Sequence, residues 1–162
     1  MFSCLRTALL AASLAAPAAA QQADIRFGGL TQDTSLPVEV TSDSLSVDQA
    51  DGAALFTGNV LVVQGDMRMT AGMIRVEYSD DGTGIDRLHG TGGVTLVSPT
   101  DAAEAAEAVY TIASGTVVMT GNVLLTQGNA AISGEKLTVN LTDGTGTMTG
   151  RVKTIFTPGQ KK

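Results

Sequence analysis

The sequence predicts an all-β chain, a solenoid-like stack in which one short strand unit is present four times, and three observations carry that prediction. A nine-residue segment recurs almost unchanged. Apolar residues alternate with polar ones at a period of two. Asp-Gly and Ser-Gly pairs separate the alternating runs.

The first residues read as an export signal. Met1 to Arg6 carries one basic side chain, and Thr7 to Ala16 is an apolar run of roughly ten residues, half of what a bilayer span needs. Pro17 breaks the run, and Ala18-Ala19-Ala20 offers the small residues a signal peptidase reads, so cleavage is expected after Ala20. Residues 1–20 are thus a predicted signal peptide, and an exported chain reaches the periplasm. Cys4, the only cysteine, precedes the apolar run, which leaves the mature chain without a thiol, a disulfide or a thiolate metal site. The polar, Gly- and Thr-containing stretch Gln21 to Leu36 reads as a flexible lead-in, residues 37–157 as one domain and 158–162 as a tail.

Within the domain, Thr57 to Gly65 reads TGNVLVVQG and Thr120 to Gly128 reads TGNVLLTQG, identical at seven of nine positions. The Gly-x-Val core returns at Gly92-Gly93-Val94 and Gly150-Arg151-Val152, so the four valines are spaced by 34, 29 and 29 residues. A second marker, apolar–x–apolar–polar, starts at Leu45, Ile74, Ala108 and Leu137, with steps of 29, 34 and 29. One five-residue insertion, in the loop Ser79 to Gly84, accounts for both irregular steps, which gives a 29-residue unit. Asp51-Gly52, Asp80-Asp81-Gly82, Ser114-Gly115 and Asp143-Gly144 supply turns, and Gln64-Gly65 and Gln127-Gly128 mark the far turns. Met67-Arg68-Met69 and Ala130-Ala131-Ile132 begin further strands. Ala102 to Ala108, with two glutamates, has some helical character, but the repeat requires a strand there.

No such unit buries its apolar face alone, and stacking supplies the missing surface. Equivalent positions then form a lining: Leu45, Ile74, Ala108 and Leu137; Val47, Val76, Tyr110 and Val139; Val60, Val94, Val123 and Val152. Val62, Leu96 and Leu125 share the face of the last set, and Phe56, Met69, Met119, Ile132 and Met148 complete the candidate lining. Periodicity fits a filled core as well as a groove. The outermost strands, around Val38-Glu39-Val40 and from Val152 to Phe156, leave unpaired edges, which makes Val38, Val40, Val152 and Ile155 the candidate association residues.

Charge and composition narrow the function. Without the signal, nine basic and sixteen acidic residues give a net charge of −7 and no basic stripe, which argues against nucleic acid. His89 is the sole histidine, so no histidine cluster or Ser-His-Asp set can be built. It stands in a turn-like Leu88-His89-Gly90-Thr91-Gly92 stretch and reads as a surface residue. Asp80, Asp81 and Asp86 crowd one Gly-rich loop, but Asp-Gly turns have conformational reasons of their own, and no metal is expected. Gly82-Thr83-Gly84 and Gly90 to Gly93 precede no helix, so they read as turn and corner glycines, not a phosphate loop.

A strand with a polar end, a turn, and then Thr-Gly-Asn-Val…Gln-Gly, twice over, resembles the OstA-type repeat shared by the LptA family and the amino-terminal domain of LptD. The resemblance covers roughly Pro37 to Phe156, with Gly92-Gly93-Val94 and Gly150-Arg151-Val152 as degenerate copies. It implies an open, twisted β-jellyroll with a hydrophobic groove and a non-enzymatic, cofactor-free role. In that family lipopolysaccharide acyl chains lie in the groove, and protomers join end to end between LptC-like inner-membrane and LptD-like outer-membrane proteins. At 162 residues the chain is short for the outer-membrane barrel of an LptD, and its expected cleavage sets it apart from LptC. Two other readings are a self-assembling β-solenoid without ligand and a β-helix enzyme acting on carbohydrate. The second calls for a face of repeated carboxylates or an aromatic ladder, which the sequence lacks.

Overall fold

The computed structural model describes residues 22–26, 30–48, 50 and 52–159. The expected signal peptide, residues 1–20, and the end of the tail, 160–162, lie outside the described residues. The chain forms β1 (Gln22–Arg26), β2 (Glu39–Thr41), β3 (Ser44–Asp48), β4 (Ala53–Gln64), β5 (Met67–Tyr78), β6 (Ile85–Thr91), β7 (Val94–Val97), β8 (Asp101–Ala105), β9 (Glu107–Thr111), β10 (Thr116–Gln127), β11 (Ala130–Asn140), β12 (Thr145–Thr149) and β13 (Lys153–Phe156). All described pairings are antiparallel and belong to one sheet.

That sheet is creased lengthwise into two leaves. In the first leaf the order is β3, 53–57 of β4, 73–78 of β5, β6, β9, 116–120 of β10, 136–140 of β11, β12 and β1. In the second leaf it is β2, 60–64 of β4, 67–71 of β5, β7, β8, 123–127 of β10, 130–134 of β11 and β13. The long strands β4, β5, β10 and β11 cross from one leaf to the other and hold both at a fixed register.

The crease has a local cause. Gly58-Asn59, Gly92-Gly93, Gly121-Asn122 and Gly150-Arg151 each place two successive residues at positive φ, between 45° and 86°. The ladders of β4 with β5 and of β10 with β11 shift register there, between Thr57 and Val60 and between Thr120 and Val123. Two left-handed residues turn the strand sharply; glycine adopts this conformation freely, and Asn tolerates it better than most other residues do. The corners are tied to one another: the amides of Asp43, Gly93, Ala106 and Glu135 donate to the carbonyls of Gly58, Ala106, Gly121 and Gly150 at 2.9–3.2 Å. Asn59 Nδ2 adds a bond to Asp43 Oδ2 at 2.8 Å, and Arg151 reaches Glu135 Oε1 from Nε at 2.9 Å.

The insertion predicted between Ser79 and Gly84 is the turn between β5 and β6. One oxygen of Asp81 accepts from Ser79 Oγ, Thr83 Oγ1 and the Thr83 amide at 2.7–3.0 Å, which holds its carboxyl down at about 2. The aspartate is a turn cap. Ala102 to Ala108 is strand, divided at Ala106 into β8 and β9.

Two expectations are corrected. The stretch Leu88 to Gly92 is no turn: Leu88 to Thr91 lie within β6, with Leu88 fully buried opposite Val76 and Tyr110 and His89 facing out beside Glu107 at 3.4 Å. The terminal strand starts at Lys153, and Val152 sits just ahead of it. The lead-in 21–36 is anchored along much of its described length. Its β1 pairs with β12 from Gln22 against Thr149 to Arg26 against Thr145, and Ile25 and Leu30 are buried in the core. From Leu30 the chain crosses the open side of the crease. The Gln32 amide donates to Leu141 O at 2.8 Å on the rim of the first leaf. On the rim of the second leaf, Gln32 Nε2 donates to the Gln64 carbonyl, while Gln64 Nε2 donates to Thr34 O at 3.0 Å and Leu36 O at 2.9 Å. The backbone groups of this polar segment thus find partners on both rims.

Candidate functional site

The interior between the leaves is built from the period-2 face of every strand. Cross-strand neighbours share a face, so the registers trace one apolar stripe through the first leaf: Leu45 with Phe56, Phe56 with Ile74, Val76 with Leu88, Leu88 with Tyr110, Tyr110 with Val117, Met119 with Leu137, and Leu137 with Met148. A matching stripe in the second leaf joins Val40 to Val62, Val62 to Met69, Met69 to Leu96, Leu96 to Ala103, Ala103 to Leu125, and Leu125 to Ile132.

Most of the residues singled out from sequence lie on these stripes and are closed to water. Val60, Val62, Met69, Ile74, Val76, Val94, Leu96, Tyr110, Met119, Val123, Leu125, Ile132, Leu137, Val139 and Met148 are buried. Phe56 and Val152 are partly buried against the same core. Leu45 and Val47 are not enclosed: they face inward by register but are 56 % and 62 % exposed. The reason is topological. Among the described residues β3 is the last strand of its leaf and pairs only with β4, so its inner face overhangs the end of the stack. Of the candidate edge residues, Val38 and Val40 are half-buried and Ile155, on the outer face of β13, is exposed.

The middle of the interior is therefore packed, and its two ends are open. At the far end Phe156 pairs with Ala130, on the inner side of β13, and is 68 % exposed. Phe156 was missed as an inner residue, although its period of two from Val152 placed it there. The column Ala54, Leu88, Val117 and Gly146 was also missed. It has the same 34, 29 and 29 spacing as the other columns, but a glycine and an alanine mask its apolar character. Four methionines, Met67, Met69, Met119 and Met148, are fully buried between the leaves, and their unbranched side chains repack at little cost.

A polar cluster around Gln64 interrupts this interior. Gln64, 1 % exposed, ends the inner face of β4, and Tyr110 donates its hydroxyl to Gln64 Oε1 at 2.7 Å. Burial holds the Tyr110 phenol protonated up to about 12, with the Gln64 bond pulling the other way. Since Gln64 also binds the carbonyls of Thr34 and Leu36, this cluster fastens the N-terminal segment over the interior. Its groups are neutral and taken up by one another, so they offer no acid–base pair for chemistry. Among the described residues no group of three or more His, Cys, Asp or Glu is placed to hold a metal.

The comparisons with known proteins agree with this architecture. A family model described as LptA/(LptD N-terminal domain) LPS transport protein matches residues 39–145. An uncharacterised protein of Rhizobium meliloti (strain 1021) is 32 % identical over 170 residues, covering 98 % of this chain and 91 % of that one. The lipopolysaccharide export system protein LptA of Escherichia coli (strain K12) is 32 % identical over 140 residues, covering 83 % of this chain and 70 % of its own. Among solved structures, LptH of Pseudomonas aeruginosa, the LptA-homologous periplasmic component of the lipopolysaccharide transport device, superposes with a TM-score of 0.68. It is 18 % identical and covers 78 % of this chain and 99 % of that one. The fold is that β-jellyroll, and the chain belongs to the LptA/LptD N-terminal domain family of lipopolysaccharide transport proteins.

Proposed function

We propose that the chain is a periplasmic carrier that holds lipopolysaccharide by its acyl chains between the two leaves, without catalysis, and that copies join end to end to bridge the two membranes. The observation that carries this reading is the continuous apolar stripe, packed at its centre and open at both ends through Leu45 and Val47 on one side and Phe156 on the other. Acyl chains gain about 0.8 kcal/mol for each methylene withdrawn from water, so a stripe of this length supplies ample affinity with no polar contact. Charged sugars and phosphates stay outside. Because the centre is packed, entry requires the leaves to part along the crease, and the buried methionines adjust to the new contents. The edges of β2 and β13, unpaired among the described residues, carry Val40 and Ile155 with Val38 and Val152 just ahead of them, and are the joining surfaces toward further copies and toward LptC-like and LptD-like partners. Export through the signal at residues 1–20 delivers the chain to the periplasm.

The packed centre also favours a second reading, a self-assembling scaffold that holds no lipid. The two are separated by a photo-crosslinking residue placed in turn at Val47, at Val139 and at the outward-facing Thr138, followed by detection of lipopolysaccharide adducts in cells. Adducts confined to Val47 and Val139 support the carrier. Equal labelling at all three sites, or none at any, refutes it.

A further inference from the structure

The two ends of the stack are complementary halves of one unit. In the second leaf the first end begins with a lone strand, β2, and the far end stops after β13, one strand short of the pair that β4 and β5 or β10 and β11 supply elsewhere. In the first leaf, β4 and β10 each pair onward with the strand that begins the next unit: Thr57 with Met73, and Thr120 with Lys136. On β12 the equivalent residue is Thr149, and its partner is Gln22 of β1. β3 begins 29 residues before Met73, at Ser44. Ser44 to Asp48 of a second copy, added to β12 in the register of the fold, would therefore fall residue for residue where Gln22 to Arg26 now lie. Val47, 62 % exposed on its own end, would take the place of Ile25, 8 % exposed opposite Gly146.

We infer that the edge of β12 is a docking site for β3 of a second copy and that β1 is its resident competitor, so that end-to-end joining in the first leaf begins with release of β1. This rests on the end-to-end reading above. β1 lies outside the stretch matched by the family model, which starts at residue 39. It is also held lightly: among the described residues it pairs with a single strand, over five residues, and the bond from Thr147 Oγ1 to Asp24 Oδ1 is long, at 3.3 Å. A lightly held strand that mimics an incoming one lowers association of free copies and yields when a partner edge is present at high local concentration.

The test locks and unlocks β1 in the full exported chain. The exported chain has lost Cys4 with its signal, so Asp24→Cys with Thr147→Cys places a single disulfide across a registered pair. Self-association is followed by light scattering over a concentration series. Oxidation is expected to raise the association midpoint at least tenfold, with reduction restoring it, and Ile25→Asp is expected to lower it at least tenfold. Val47→Asp raises it in every background. Identical midpoints for the oxidised and reduced forms, while Val47→Asp still acts, overturn the competitor role and leave the end-to-end reading standing. If neither Val47→Asp nor Ile155→Pro moves the midpoint, or no association occurs at any concentration, the end-to-end reading fails and the inference with it. Should Ile25→Asp fail to fold, the redox comparison decides alone.

Discussion

Replacing Gln64 by leucine tests whether the buried amide fastens the N-terminal segment. Gln64→Leu keeps most of the volume and removes three bonds: from Tyr110 at 2.7 Å, to Thr34 O at 3.0 Å and to Leu36 O at 2.9 Å. Leu36 is exposed enough for its carbonyl to turn to water, so that loss is about 0.5–1.5 kcal/mol. The Tyr110 hydroxyl, fully enclosed, has no water to turn to, and leaving it unpaired costs about 1–3 kcal/mol. With the Thr34 bond of about 1 kcal/mol and a partial offset from the more apolar side chain, the net loss is about 2–4 kcal/mol. Urea unfolding gives this number, and hydrogen exchange over residues 30–36 reports the release locally. In a Gln64→Leu, Tyr110→Phe chain the orphaned hydroxyl is gone, and about 1–3 kcal/mol should return. A loss below about 0.5 kcal/mol, or a double variant no more stable than Gln64→Leu, would show that the cluster does not carry the segment.

Other outcomes follow from the crease, the phenol and the surface. Gly121→Ala puts a side chain at φ 86° with its Cβ 2.7 Å from that of Ala106, and should cost about 2–5 kcal/mol by urea unfolding. Gly82→Ala, at φ 67° with no atom within 4 Å, should cost only the backbone part, about 1–2 kcal/mol. Tyr110, raised from 10.0 to about 12 in the folded chain, favours folding while protonated. Its contribution, about 2–3 kcal/mol, is complete below the unfolded value and is lost as pH rises toward 12. Tyr110→Phe should abolish that part of the alkaline unfolding slope. Arg151→Ala breaks an ion pair whose side chains are 89 % and 57 % exposed, and thermal unfolding should register less than about 1 kcal/mol.

What was legible in the sequence was everything that repeats. Two markers sharing one insertion fixed which residues are strand and which face each one shows, because equivalent residues in adjacent units meet the same neighbours. Repetition misleads where neighbours are missing. Leu45 and Val47 satisfy the pattern but lie in the end strand, where no further unit covers them. It misleads again where a column is chemically uneven: Leu88 belongs with Ala54, Val117 and Gly146, and the glycines beside His89 imitate a turn. The N-terminal segment obeys no repeat. Its order comes from contacts over a hundred residues away, such as Ile25 with Gly146 and Gln32 with Leu141, which no local property of QADIR or its successors announces. Family resemblance named the jellyroll correctly, and it contained nothing about β1.

The bond from Gln32 to Leu141 and those from Gln64 to Thr34 and Leu36 join the two leaves at their rims, as far from the glycine crease as the strands reach. Leverage decides what such a tie is worth. A small rotation about the crease moves the rims through the largest arc, so a few hydrogen bonds there resist opening far more stiffly than the same bonds placed near the corners. The two leaves then behave less like a trough than like a purse drawn shut by its cord. Any parting of the leaves would be governed by the cord's length and fastening more than by the fabric of the sheet.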